Sequence, residues 1–320
     1  MNAQPAPFAD VRAQDHALAA RLFDDVARMS PDVEGVSRPA FSEIETRTLK
    51  YLEDVAKAEG LAVWYDAGCN ALFSLPEDRD AERFVVVGSH VDSVPFGGNF
   101  DGLAGVVAGL ICLIRARREG RRFEKPVHVL AMRGEESAWF GPCYIGSKVL
   151  TGTLAKRELE ETHKGDGRTL EAHMADIGLP VEDVQAQKPL MDVSRIEAYL
   201  ELHIEQGPLL IGKNIPAAAV SGIRGNIRYR SITCHGEAGH SGAVPKATGA
   251  IPFWRWPIFW CGSTRAGRRS STRATIWCSQ AASWRPIRKN TPCRAFPTAC
   301  PSASTCAARS RKRWTTCAPS

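Results

Sequence analysis

What is missing divides this chain in two. Between residues 246 and 320 there is no Leu, Val, Asp, Glu, Tyr, Met or His. A segment without Leu and Val has few side chains from which to pack a core. The same 75 residues hold 14 Lys and Arg, six of the ten cysteines, and six of the eight tryptophans: Trp254, Trp256, Trp260, Trp277, Trp284 and Trp314. All 35 acidic residues and 27 of the 41 basic ones lie before residue 246, so the front carries −8 and the tail all of the basic excess in the overall +6. Two readings fit such a tail. One is a basic, disordered arm that binds nucleic acid. The other is the out-of-frame reading of a GC-rich gene. Selected disordered segments avoid Trp and Cys, so the second is preferred, and nucleic acid is not an expected partner.

Other absences bound the front. Cys69, Cys112, Cys143 and Cys234 show no CxxC pair and no finger-like spacing, which argues against a disulfide scaffold or a Cys-zinc site. A reducing, cytoplasmic compartment fits. The start, MNAQPAPFADVRAQD, has no apolar signal region. No apolar run approaches the roughly 18 residues of a membrane helix, and no internal repeat is visible.

What is present is an alternation of strand and helix signals. VSRPAFSEIETRTLKYLEDVAKAEG opens with Ser42 and, three residues on, Glu45, the pattern of a capping box. Ile44, Leu49, Leu52 and Val55 follow as a helical stripe, and Gly60 ends it. LAVWYDAGCNALFSLP reads as a hairpin. RFVVVGSH and KPVHVLAMRGEE read as buried strands. DGLAGVVAGLICLIRARREG is a helix with its basic residues last, as its dipole favours. Residues 145–180 look helical and polar, and IEAYLELHIEQG is a third strand. The expected fold is α/β, with a mainly parallel sheet over residues 1–207. Residues 208–245 read as the start of a smaller α+β lid, with strand-like runs between Gly turns.

Three of these strands run into polar, metal-capable residues: His90, Asp92 and Asp101; Glu135 and Glu136; and His203. Open α/β sheets bind ligands at the carboxyl ends of their strands, so the three groups are expected to converge. Imidazole and carboxylate donors suit zinc or a similar divalent ion. Asp92 lies two residues after His90, on the same side of the strand, where it can accept the other ring N–H. The glycines of PFGGNFDG let the loop fold back and bring Asp101 to the start of the next helix. Glu135 and Glu136 point to opposite sides, so that one holds metal while the other takes a proton from water. Taken singly each signal is weak. A strand-end His is usually just capped or exposed, a Glu-Glu pair is usually a solvated surface pair, and Asp-Gly is usually a turn. Three groups at three strand ends coincide by chance far less often. His128 alternates with apolar residues and reads as a core position. His16, His163 and His173 read as surface, and Cys143 as a small core-lining residue.

GSHVDSVPFGGNFDG, RGEESAWFGPCYIGSK, ELHIEQGPLL and GEAGHSGAVP, in this order, resemble the binuclear-zinc amidohydrolases of the amidase/carbamoylase type. That group includes N-carbamoyl-L-amino-acid hydrolases, beta-ureidopropionases and allantoate amidohydrolases, and is related to the M20 aminopeptidases. The likeness covers roughly residues 20–246, and HIEQG is similar to the carbamoylase side rather than the peptidase side.

The resemblance implies two divalent ions, zinc first, with manganese, cobalt or nickel able to replace it. It implies that His90 and His203 hold one ion, that Asp101 bridges, and that Glu136 holds the other. Glu135 would be the general base. Gln206 and Arg228 would contact the substrate, and His240, on the lid, would stabilise an oxyanion. It also implies a homodimer through the lid. The reaction would attack a carbamoyl or amidine-like carbon of an N-carbamoyl amino acid, ureidopropionate or allantoate, releasing ammonia and CO2. An M20-type peptidase and a non-catalytic remnant are the alternatives. In the family a later return segment supplies a last histidine ligand, and here no His follows His240. The resemblance therefore leaves residues 1–207 a catalytic domain without its return segment and 246–320 a non-family, disordered tail. Negligible turnover is expected from the chain as it stands.

Overall fold

The computed structural model describes residues 8–222 and two short strands further on, in a chain that divides into compact units Met1–Ala218 and Ala219–Ser320. The first unit begins with helices α1 (Phe8–Met29) and α2 (Glu43–Ala58). The hairpin strands β1 (Ala62–Tyr65) and β2 (Ala71–Ser74) follow, where the sequence places them. Next come β3 (Phe84–His90), α3 (Leu103–Glu119) and β4 (Val127–Met132). Four short helices then fill the stretch before the last strand: α4 (Ile145–Thr151), α5 (Lys156–Leu159), α6 (Leu170–Asp176) and α7 (Val181–Gln185). Strand β5 (Ile196–Leu200) and a turn of helix, α8 (Leu209–Gly212), complete the unit.

The five strands form one sheet in the order β1-β2-β4-β3-β5. β3 lies between β4 and β5 and is parallel to both. The hairpin joins this trio antiparallel, through β2 on β4. The sheet is thus mixed, with its parallel part carrying the strand ends of interest.

Alternate residues of each strand serve opposite faces. Phe73 and Val129 pack under Leu22, Leu49, Leu52 and Leu110 of the three long helices. Leu72, Val86 and Leu130 face the other way, toward Leu150 and Met132. α3 lies close on its sheet face because it opens with small residues. A Cβ on Gly105 would come within 2.7 Å of the Ser89 Cβ and 2.8 Å of the Leu202 carbonyl oxygen.

Three expectations change. Residues 145–180 are not a polar helical run. Phe140, Ile145, Leu154, Leu170 and Met174 form a core of their own there, joined by Phe41. His163 and His173 belong to that region and are only 9% and 8% exposed, so they are not surface residues. Their apolar neighbours come from loops too short to show a period. Cys143, read as core-lining, is half-buried. His16 is exposed and His128 buried, as the pattern indicates.

β5 ends at Leu200, three residues before His203. It is an edge strand whose Leu200 is 56% exposed. In the second unit the described residues are β6 (Thr233–Cys234) and β7 (Cys293–Arg294), paired antiparallel, with residues 219–222. The rest of the expected lid and tail lies outside the described residues. Among the described residues, no helix is long and apolar enough to cross a membrane.

Candidate metal centre

The register of β3 on β4 sets His90 opposite Met132, and the Val91 N–H donates to the Met132 carbonyl at 2.9 Å. The two strands therefore end level, and the segments beyond them leave side by side. Asp92, fully buried, ties them together. One of its oxygens accepts the Glu135 N–H and the other the Glu136 N–H, both at 3.0 Å. The same carboxylate lies 3.2 Å from His90 Nδ1, and the Asp92 carbonyl lies 3.0 Å from that nitrogen. Nδ1 is thus set to donate, so that in the neutral ring the lone pair is on Nε2, 3.8 Å from the Glu135 carboxylate.

One ligand atom each from His90, Glu135 and Glu136 lies within 4.8 Å of the others. Burial pushes the Glu136 carboxyl up to about 7, and the neighbouring Glu135 adds to the rise. Glu135 is raised too, by burial first, against the pull of His90. Burial works against a charged His90, yet the hydrogen bond and charge of Asp92, then Glu135 and Glu136, outweigh it and raise the imidazole to about 9. Crowded acids around one imidazole are a cluster whose charge balance a cation would invert.

Asp101 stands one residue before Gly102, the residue that caps α3. Gly102 has φ +66°, and a Cβ there would fall 2.5 Å from the His90 ring, so the loop lies directly on the imidazole. Asp101 Oδ2 accepts from the Gln206 side chain, whereas buried Oδ1 has no hydrogen-bond partner. His203 Nε2 lies 3.7 Å from that Oδ1. His90 therefore groups with Glu135 and Glu136, while His203 and Gln206 gather on Asp101. This donor set, with a buried carboxylate oxygen left unpaired, fits a divalent ion of the zinc type. Arg228 and His240 lie outside the described residues.

The sequence reading missed the layer beneath. Arg38 is fully buried and its Nε donates to the Val91 carbonyl at 2.7 Å, while its backbone N–H donates to Ser93 Oγ at 2.9 Å. Burial lowers its guanidinium to about 10, and Asp92 and Glu45 hold it charged. Ser42 caps α2 as expected, accepting from the Glu45 N–H at 3.2 Å. The Glu45 carboxylate does not close the capping box on Ser42. It accepts instead from Phe41 N–H at 2.8 Å, Gly134 N–H at 3.0 Å and Arg133 Nη1 at 2.8 Å. It thereby holds the loop that presents Glu135. The sequence carried no local signal for this layer, because Arg38, Glu45 and Arg133 stand among mixed polar and apolar neighbours.

Residues 86–308 match the Peptidase family M20/M25/M40. Among curated proteins, an N-carbamoyl-L-amino acid amidohydrolase of Geobacillus stearothermophilus is 36% identical over 213 residues, 66% of this chain and 51% of that protein. An allantoate deiminase of Arabidopsis thaliana is 28% identical over 234 residues, 72% of this chain and 44% of its own length. Among solved structures, a hydantoinase/carbamoylase family amidase from Burkholderia ambifaria is 28% identical with a TM-score of 0.60, covering 77% of this chain and 60% of that one. The chain spans about half the length of the curated relatives it matches. With strand-end carboxylates and imidazoles grouped as described, and with most of the sheet inside the matched span, the chain belongs to the M20/M25/M40 family.

Proposed function

We propose that this site performs metal-dependent hydrolysis of a non-peptide C–N bond in an N-carbamoyl-L-amino acid, ureidopropionate or allantoate. The observation that carries the reading is the grouping of His90, Glu135 and Glu136 around the buried Asp92. The names of the similar proteins support the substrate class.

His90, through Nε2, with Asp101, Glu136 and His203, would hold two divalent ions, zinc first. When bound, such ions make water acidic near neutral pH and polarise the carbonyl under attack. Asp92 keeps the His90 proton on Nδ1 and so keeps Nε2 available. Glu135 takes a proton from water and passes it to the departing nitrogen. One water consumed on a carbamoyl amino acid gives the amine, CO2 and ammonia. Gln206 and Arg228 would bind the substrate, Arg228 through a carboxylate, and His240 would stabilise the oxyanion.

For the 320-residue chain itself we expect metal binding with negligible turnover, because no histidine follows His240 to complete the second ion's ligands. The test is metal content per chain, followed by ammonia release from N-carbamoyl amino acids with and without added zinc or manganese. A chain that takes up no ion lost on His90→Gln refutes the metal centre. Robust metal-dependent ammonia release overturns the expected inactivity and supports the chemistry. Dipeptide cleavage with no action on carbamoyl substrates would assign the site to peptide bonds instead.

A further inference from the structure

Away from this centre, a tight turn holds a second group of metal-ligating side chains. Thr162 and Thr169 bridge antiparallel, and between them the His163 N–H donates to the Arg168 carbonyl at 2.8 Å. The turn carries His163 and Asp166, and α6 brings His173 against it. One ligand atom from each of the three lies within 4.8 Å of the others.

Their arrangement is unlike that of a surface ion pair. Asp166 Oδ1 lies 3.2 Å from His163 Nδ1 and accepts the Arg168 N–H at 3.0 Å, while His173 Nε2 reaches both oxygens, 3.1 Å from Oδ2 and 3.3 Å from Oδ1. The two rings are 4.9 Å apart. Both are braced by aromatic side chains: His163 stacks on Trp139 at 5.4 Å, and Phe140 lies 5.1 Å from His163 and 5.2 Å from His173.

The hydrogen bonding is unresolved in a way that points to a cation. The backbone N–H groups of Gly165 and Asp166 both approach His163 Nδ1, at 3.3 Å. Nδ1 therefore presents a lone pair. The carboxylate oxygen 3.2 Å away is also an acceptor. Two acceptors in contact need a proton or a metal ion between them. The other nitrogen of His163, Nε2, is buried and has no hydrogen-bond partner.

We propose that His163, Asp166 and His173 form a separate site for a divalent transition-metal ion of the zinc class. Two imidazoles and one carboxylate are a zinc donor set. Asp166 is 45% exposed, which gives the ion an entry path and room for water as a further ligand. The ion would fasten the 163–166 turn to α6. Through Lys164 N–H on the Trp139 carbonyl, 2.9 Å, and Trp139 Nε1 on the Ser93 carbonyl, 2.6 Å, the turn is already tied to the segment after Asp92.

The test compares the full chain with its D166N/H173Q variant, both made metal-free and then dialysed against a series of free zinc concentrations. Zinc taken up by cysteines or by the His90 cluster is common to both proteins and drops out of the difference. The variant should bind one ion fewer per chain, with an unchanged far-UV circular dichroism spectrum. H90Q should keep that ion, which separates this site from the first. If D166N/H173Q does not fold, D166N alone decides, since its side chain is exposed, and the one ion should bind at least tenfold more weakly. Equal stoichiometry and equal midpoints in the full chain and in the Asp166 variants overturn the proposal and leave a hydrogen-bonded His–Asp–His network.

Discussion

Asp92 does three things with one carboxylate: it receives the N–H groups of Glu135 and Glu136 and fixes the His90 proton. Asp92→Asn leaves one acceptor oxygen for two buried N–H donors. The expected result is a loss of about 1–3 kcal/mol of stability and roughly 10–100-fold weaker metal binding, read by chemical denaturation and by zinc titration. His128 carries a different kind of test. Its ring stacks on Phe84 at 4.0 Å, its Nε2 donates to the Asp78 carbonyl at 2.8 Å, and burial lowers its pKa from the ordinary 6.5. The folded chain keeps it neutral where the unfolded chain takes a proton. Its contribution is therefore full above about pH 6.5 and falls as pH drops from there toward the depressed folded value. Denaturation midpoints between pH 5 and 8 should show this loss, with a slope of at most about 1.4 kcal/mol per pH unit for one proton, and His128→Gln should flatten that part. An identical pH profile in the two proteins would rule His128 out.

At the level of elements, α2 and the loop after β4 are joined by one buried ion pair, Glu45 with Arg133. Glu45→Gln leaves a guanidinium buried without its counter-charge, at a cost of about 3–5 kcal/mol. Replacing both, as E45Q/R133M, should recover part of that loss, which a double-mutant cycle would measure. The two ends of this pair show what sequence could and could not reveal. Ser42 announces the helix start, because a cap is a local matter. The destination of the Glu45 side chain is not local, since its partner lies 88 positions away. The same distinction runs through the site. His90, Asp92, Glu135 and Glu136 were legible because each stands just beyond an apolar strand, and a parallel sheet brings such ends together. Arg38 was not, because it reads as one more polar residue until Val91 and Ser93 surround it. The core of residues 145–180 stayed hidden for a related reason. Helices of four to seven residues do not show a clear 3.6-residue period, so their apolar side chains looked scattered.

Among the described residues, the first unit is well filled behind β3 and open beside β5. Tyr199, Leu200 and Leu202 are all exposed, and among the described residues only β3 pairs with β5. A free strand edge presents a row of unsatisfied amides and carbonyls, and apolar side chains beside it make a template for any other extended chain. Self-association should therefore rise steeply with protein concentration, and Leu200→Lys, which sets a charge on the edge, should raise the concentration reached before light scattering increases. No change in that threshold would mean the edge is covered. During synthesis the same edge emerges before the last third of the polypeptide, and whatever reaches it first, a nascent neighbour or a chaperone, decides how much of this protein stays in solution.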